Sequence, residues 1–569
     1  PFAGLSLSAT ADGSTIRGLV IKNFTSSAIH VDSGSSGNTI AGNYLGALNA
    51  DGSHDAGADT SAYIIDLQGD NNVIGGSTAV DRNVMISNGA NYGVFVFEAG
   101  AFSNRIQGNY IGTDATGNAG FGGDATGVSL SLSGANNLVG GSGAGEGNVM
   151  ADGISVVNNV GAGSVIQGNR VGVSADGTSV LSGVTLAAID VIGTNGVTIR
   201  DNWIANVAPH PIAAGNPGHG ILLRTGVSNT IVEGNRIGTD LAGTANWGVS
   251  QSGIRGTASN LNNQIANNII ANSNQGGLGF DGIGIVSGTG NAILGNSIYG
   301  TNAAGGGLGI DHGNNGVTAN DAGDADTGAN NLQNFPVLTS AATNGSSEVN
   351  ISGTFNSAAS SYYRIEFFAS PTANSSTYGE GKVYLGHVNV PTDGSGNATF
   401  SATLSAAVTA GHVISATATK TDVTYSSFTD TSEFAQSVTA TAVTPGVLVV
   451  DTASDTSDGD TTSIANLLAD RGADGFISLR EAIIAANNTA NVGGVPDVIN
   501  FGIATTSTHT ITLGSALPDI TDGVVINATT DDSFAANGNR PAVVLDGNGL
   551  NASGLTLSNT ADGSTVRGL

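Results

Sequence analysis

The sequence contains no cysteine, which excludes disulfide staples and thiolate metal sites. Charge is sparse, at 11% of residues, and aromatics make up 5%, yet 39% of residues are hydrophobic. That is enough for a packed core, so the shortage of charge does not signal disorder. Bases are the rarer sign: 16 Lys and Arg against 44 Asp and Glu leave a net charge of −28. This balance argues against nucleic acid or an anionic membrane as a partner. Glutamate is scarcer still, since eight of the 44 acids are Glu and the rest are Asp. Aspartate favours turns and oxygen-ligand cation sites, so the acidity belongs to loops. No apolar run reaches the length of a membrane span, and Pro1-Phe2-Ala3 lacks the basic and apolar regions of a signal peptide. Targeting and anchoring segments are therefore expected outside this window.

Glycine is abundant, at 87 residues, and it sits in a phrase that returns along the first three hundred residues. The copies are Gly42-Asn43-Tyr44-Leu45-Gly46, Gly108-Asn109-Tyr110-Ile111-Gly112-Thr113-Asp114, Gly168-Asn169-Arg170-Val171-Gly172, Gly234-Asn235-Arg236-Ile237-Gly238 and Gly295-Asn296-Ser297-Ile298. Looser copies are Asp201-Asn202-Trp203-Ile204 and Asn267-Asn268-Ile269-Ile270. Successive asparagines lie 66, 60, 33, 33, 33 and 28 residues apart, multiples of a coil of roughly 20 to 33 residues, as in a solenoid. In stacked parallel coils each asparagine lies about 4.8 Å above the next, so the amides of Asn43, Asn109, Asn169, Asn202, Asn235, Asn268 and Asn296 can bond as a ladder. Glycine supplies the positive φ that corners require. A second phrase, Asn72-Val73-Ile74-Gly75-Gly76 and Asn137-Leu138-Val139-Gly140-Gly141, interleaves with the first and is followed by Asn83-Val84-Met85 and Asn148-Val149-Met150. The pattern reads as a right-handed parallel β-helix of about 15 coils, some 70 Å long.

The two ends of the chain repeat each other. Residues 4–19 and 554–569 match at 13 of 16 positions, 550 residues apart, so the chain reads as slightly more than one period of a tandem array. Between them the sequence divides into a β-helix over 1–336, an immunoglobulin-like β-sandwich over 337–443, and a helix-capped start of the next β-helix over 444–569. The fold class is all-β. Sandwich strands are expected at 348–355, 362–369, 382–390, 398–404, 412–420 and 433–438, with Asp393-Gly394-Ser395-Gly396-Asn397 as a hairpin turn. The only convincing helix is 476–487, where Ser478 and Glu481 have the spacing of a capping box and Leu479, Ala482, Ile483 and Ala486 share one face. Such a helix can cover the open apolar end of a first coil.

The run Ile477-Ser478-Leu479-Arg480-Glu481-Ala482, followed by Asn487-Asn488, Val498-Ile499-Asn500-Phe501 and His509-Thr510-Ile511-Thr512-Leu513, resembles the CSLREA-type domain of bacterial secreted and surface proteins. That resemblance implies β-helix repeats of the Gly-Asn-x-Ile-Gly-Thr-Asp kind, then an Asn-Phe-Pro-Val-Leu segment with a β-sandwich, and an extracellular or cell-surface location. Asn334-Phe335-Pro336-Val337-Leu338 fits the last of these. Ile477 replaces the family's cysteine, which removes any thiol role and suits a buried apolar position.

Two acidic loops at the domain junctions are candidate Ca²⁺ sites: Asp321, Asp324 and Asp326, and Asp451, Asp455, Asp458 and Asp460. Neither matches the EF-hand or nonapeptide pattern, and solvated loops are the competing reading. Beyond this possible structural Ca²⁺, no cofactor is expected. β-Helix polysaccharide lyases and hydrolases need carboxylates on the outer face of adjacent coils. The best fragment here is Gly218-His219-Gly220, with Asp190, Asp201, His210 and Arg224 as residues that could cluster near it. The usual companion motifs are absent and Asp531-Asp532 is distant, so His219 reads as a turn histidine, and Asp114 and Asp240 as turn formers. The expected role is a non-enzymatic structural unit of a long surface fibre or adhesin, making cell-surface, matrix or cell–cell contact. Its partners are identical units head to tail, with fibre–fibre contacts. The alternatives are a carbohydrate-binding adhesin using exposed Tyr44, Tyr110, Trp203 and Trp247, with polysaccharide or a cell surface as partner, or a polysaccharide-cleaving enzyme.

Overall fold

The structure, a computed structural model, describes residues 2–569 apart from 58–62, 89–91, 97–100, 122–125, 132–133, 158–162, 185, 209–217, 278 and 302–305. It divides into two compact units. The first comprises residues 1–339, 352–402 and 412–438, and the second 340–351, 403–411 and 439–569.

In the first unit, strands of two to six residues between Leu5 and His312 wind into three parallel sheets of 11, 10 and 10 strands. Each coil contributes one strand to each sheet, which makes a parallel β-helix. Branched apolar residues stack inward in register, as Ile199, Val232 and Ile265 do, each fully buried. Ten steps of about 4.8 Å give a solenoid of roughly 48 Å, fewer and larger coils than the 15 expected from the sequence. The reason lies at the corners. The seven asparagines of the repeated phrase do form one column, but Asn83 and Asn148 belong to it as well. The spacings of 66 and 60 are therefore two coils each, with loops of unequal length between asparagines.

Each ladder asparagine both donates and accepts. Asn169 Oδ1 accepts from Asn148 N at 3.1 Å and from Asn148 Nδ2 at 2.9 Å, while its own N and Nδ2 donate to Asn202 Oδ1, both at 3.0 Å. Nδ2 also donates to Val139 O at 3.0 Å. A second column stands at another corner, with Asn38, Asn72, Asn104 and Asn137 ending on Ser164, and resumes as Asn263, Asn291 and Asn330. The residue before each asparagine turns the corner: Gly168 has φ +68, and a Cβ there would collide with Gly141 O. Asp201 and Asn267 adopt the same left-handed conformation in their coils.

The sandwich strands Val383–Pro391, Tyr362–Ser370, Val413–Thr421 and Phe428–Thr431 form one antiparallel sheet of the first unit in that spatial order. Five of the six expected strands fall within one or two residues of their places. The sixth does not: 433–438 is replaced by Phe428–Thr431 and Val438–Thr439, because Glu433 is drawn out to serve backbone N–H groups of the β-helix. Val337–Thr343 is a further strand.

In the second unit, Val447–Val450, Asp497–Phe501, Val524–Asn527 and Thr565–Arg567 make a parallel sheet, and His509–Thr512 pairs in parallel with Val543–Asp546. The helix Leu479–Asn487 has the expected capping box. Its face of Leu479, Ala482, Ile483 and Ala486 packs in one core with Leu448, Val450, Ile499 and Phe501, and Ile477 is fully buried. Two shorter helices, Ile464–Ala469 and Asp532–Ala536, were not expected; each is one or two turns long and is started by a side-chain cap from Ser463 or Asp531.

A ladder asparagine replaced by alanine strands buried donors of its neighbour. Asn169→Ala should lower the stability of the β-helix by about 2–4 kcal/mol, whereas Asn195→Ala, at an exposed corner, should cost under about 0.5 kcal/mol. Guanidinium unfolding followed by fluorescence of Trp203 and Trp247, the only tryptophans, reads the difference.

Candidate functional site

Of the two acidic loops, the structure brings together one. Ligand oxygens of Asp321, Asp324 and Asp326 lie within 4.8 Å of one another. The loop is held by Asn334, whose N donates to Asp324 Oδ1 at 2.8 Å and whose Oδ1 accepts from Asp321 N at 3.0 Å, and by Ser357 Oγ, which donates to Asp324 Oδ2 at 2.7 Å. Burial, and then the neighbouring carboxylates, push Asp324 and Asp326 above the usual range, and Asp326 Oδ1 has no partner. These three residues could hold a hard cation. The other four aspartates are each spent locally. Asp451 pairs with Arg471 and accepts from Ile477 N, Asp455 pairs with Arg480, Asp458 accepts from Ala473 N and Asp474 N, and Asp460 accepts from Thr462. They form no convergent group among the described residues, so that expectation is corrected. A group not anticipated is His509, Asp531 and Asp532, in which Asp531 caps a short helix and accepts from Ile503 N.

The side chains of the cap motif are engaged in local bonds and core packing. Glu481 Oε1 accepts from Asp458 N and Gly459 N at 2.7 and 2.8 Å, and Oε2 accepts from Ser478 N at 2.9 Å. Arg480 holds Asp455 through two bonds of 3.0 and 2.7 Å and donates to Ser515 O and Ala516 O. Leu479 fills the core beneath.

Among the described residues considered for catalysis, Asp190 and Arg224 meet each other and Asp201 is engaged elsewhere. Asp190 and Arg224 form a two-bonded ion pair between adjacent coils, Asp201 accepts from Gln167 Nε2 at 3.1 Å, and His210 lies outside the described residues. His219 is not in a turn: it opens the strand His219–Arg224, is 2% exposed, and its Nδ1 accepts from Ser252 N at 3.1 Å. Burial pulls its pKa down to about 3, so it stays neutral. Asp281 and Asp311, near Arg255, are also closed off at 0% and 2% exposure. Asp114 and Asp240 are turn formers; Asp240 Oδ1 accepts from Thr244 N at 2.7 Å and Ala245 N at 3.0 Å.

The rings proposed for carbohydrate do not form an exposed row. Tyr44, Tyr110, Arg170, Trp203 and Arg236 share the outward column of one sheet, but the Gly-Thr-Asp loops fold over it. A Cβ on Gly117 would stand 2.7 Å from the Tyr110 ring, and one on Gly177 3.0 Å from Trp203. Tyr110 and Trp203 are buried, and Trp247 stacks on Trp203 at 5.7 Å. The rings form an outer packing layer.

At the last coils, N–H groups that have no further strand to meet are taken up by sandwich side chains. Glu366 accepts from Gly295 N at 2.8 Å, Glu380 from Gly300 N and Thr301 N at 3.0 and 2.6 Å, and Glu433 from His312 N and Thr318 N, both at 2.8 Å. Asp430 accepts from Gly290 N at 2.6 Å, and Phe434 joins the β-helix core. Three of the eight glutamates are used this way, and the rarity of glutamate was the one signal in the sequence that could have pointed to them.

Fold and site together define a parallel β-helix protein closed at one end by a β-sandwich. No protein-family model matches the chain, and no curated protein does. Among solved structures it is similar to tailspike protein 2 of Escherichia coli O157:H7 bacteriophage CAB120, at 11% identity over 73% of this chain and 60% of that one, with a TM-score of 0.24. It is also similar to a mutant tailspike protein of E. coli bacteriophage HK620 in complex with a hexasaccharide, at 12% identity over 69% and 64%, with a TM-score of 0.28. The chain spans under two thirds of either neighbour.

Two outcomes follow. Ca²⁺ at millimolar concentration should raise the Tm of the first unit, and Asp326→Asn should abolish the rise while Asp458→Asn leaves it, as read by differential scanning calorimetry. Burial raises Glu366 from 4.5 to about 7, so the folded chain holds this proton more tightly than the unfolded chain. Its contribution is full below pH 4.5 and is lost as pH rises through 7. Glu366→Gln, which keeps an acceptor for Gly295 N, should gain on the wild type between pH 5 and 8 by on the order of 2 kcal/mol, measured by denaturant unfolding at each pH.

Proposed function

We propose that the chain is a structural repeat unit of a long extracellular fibre or adhesin on a bacterial surface. It joins identical units head to tail, mediates surface, matrix or cell–cell contact, and has no reaction to perform. The resemblance to CSLREA-type surface proteins supports this, and among the described residues no helix is long and apolar enough to cross a membrane. One observation carries the reading. Thr15–Arg17 and Thr565–Arg567 are the same strand one 550-residue period apart. The first pairs with the strand that follows it, Thr39–Ala41, and the second with the strand that precedes it, Val525–Asn527. If the two strands are superposed as one, the rows Val525–Thr15–Thr39, Ile526–Ile16–Ile40 and Asn527–Arg17–Ala41 would run as one parallel ladder. Ile526, Ile16 and Ile40 are all buried. This register supports the reading that the cap region begins a β-helix of the kind that occupies 1–336.

The reading is tested with a two-period chain in which Leu569 is followed by residues 20–569. Amides of Thr565–Arg567, which end their sheet in one period, should gain hydrogen-exchange protection to the level of Thr15–Arg17, and electron microscopy should show a β-helix in each period. Exchange at 565–567 as fast as in the single period, or an unfolded second β-helix, would sink the proposal.

A further inference from the structure

The column of corner residues that precedes the asparagine ladder reads Gly42, Arg82, Gly108, Gly147, Gly168, Asp201, Gly234, Asn267 and Gly295. Eight members are small or turn-forming, and one is an arginine. Arg82 Nε donates to Gly108 O at 3.3 Å, and its guanidinium lies 4.0 Å from the centre of the Tyr110 ring. It has no acid partner among the described residues, and the adjacent Asp81 is already committed to Arg17 and Thr78. Arg170 stands three coils further on. Its guanidinium lies over Trp203 and bonds the carbonyls of Ser174 and Ala175, and it too lacks an acid partner within ion-pair distance. Asp176, the acid that feels its charge, is spent on Ser174 and Thr178. Two guanidiniums without an acid partner thus stand on one face.

Both arginines line a groove of about 340 Å³ on the flank of the β-helix, with Tyr110 between them and Gly141, Gly143 and Gly145 along its side. Glu146, on the same loop, is turned onto Gly143 N at 2.7 Å instead of reaching Arg82. Three coil steps set the guanidiniums roughly 14 Å apart along the axis.

We propose that this groove binds a carboxylate-bearing saccharide, a segment of uronate polysaccharide. A guanidinium fork matches a carboxylate through two parallel bonds, and the spacing suits charges carried on separate sugar rings. The net charge of −28 opposes nucleic acid and polyuronate alike, so the preference for a carboxylate rests on the guanidinium geometry.

The test is isothermal titration of the whole chain with oligogalacturonate, with neutral oligogalactan, inorganic phosphate and single-stranded DNA as comparisons. Wild type should bind oligogalacturonate alone, more weakly as salt is raised to about 0.5 M. Arg82→Gln should weaken binding about tenfold or more, and Arg105→Gln, on another sheet, should leave it unchanged. Arg82→Lys keeps the charge and loses the fork; weaker binding with an unchanged Tm supports the proposal even if Arg82→Gln folds poorly. No oligogalacturonate binding by wild type, unchanged binding in both Arg82 variants, or equal binding of phosphate or DNA would overturn it.

Discussion

A coil of three short parallel strands turns a corner every few residues, and at each corner the peptide groups lose the regular strand ladder. A buried N–H without an acceptor costs about as much as the hydrogen bond it forgoes, and this chain has such corners in every coil. Asparagine answers the need with one side chain. Its amide oxygen takes the backbone and side-chain N–H of the coil before, and its amide nitrogen reaches a carbonyl inside the coil. Eight asparagines from Asn83 to Asn296 do this in one unbroken column headed by Asn43, which accepts from Leu19 N. The abundant glycine follows from the same demand, because most of these corners need left-handed backbone.

The same constraint governs the end of the solenoid. An open parallel edge exposes unpaired N–H groups and invites pairing with any free strand. Here the first unit meets its last coils with carboxylates from the sandwich, and Glu366 and Glu433, both pushed up to about 7 by burial, carry the cost of that placement. Glu481 does comparable work in the second unit, where one carboxylate serves both the helix start and the loop at Asp458–Gly459. Glutamate is rare in this chain, and at these places its carboxylate meets backbone N–H groups that the fold would otherwise leave unpaired.

Why some of this was legible in the sequence and some was not follows from where each partner lies. The asparagine column is dictated locally: a turn-forming residue, Asn and then an apolar strand give the same corner, so seven of its members are legible. Asn83 and Asn148 do the same job in Asn-Val-Met phrases that read as part of the second repeat, so the coils are fewer and larger than the spacing suggests. The capping box at Ser478 and Glu481 was readable because its partners are three residues apart. The carboxylates that close the β-helix were not, since Glu366 and Glu433 meet backbone 71 and 121 residues away. Likewise, aspartate spacing alone could not tell the convergent trio at 321–326 from the four at 451–460, whose carboxylates find local N–H groups or arginines.

Repetition itself separates architecture from function along this solenoid. A residue that recurs at the same corner in successive coils is answering a demand every coil makes, which is why Asp114 and Asp240, Tyr110 and Trp203 all prove to be packing or turn residues. What a β-helix does beyond holding its length must be sought where a column departs from its own rule. Arg82 is such a departure: its neighbours in the column show that the corner folds with glycine, and its charge is left unneutralised in a chain rich in acid. The regular coils fix the spacing, and the irregular residue supplies the chemistry.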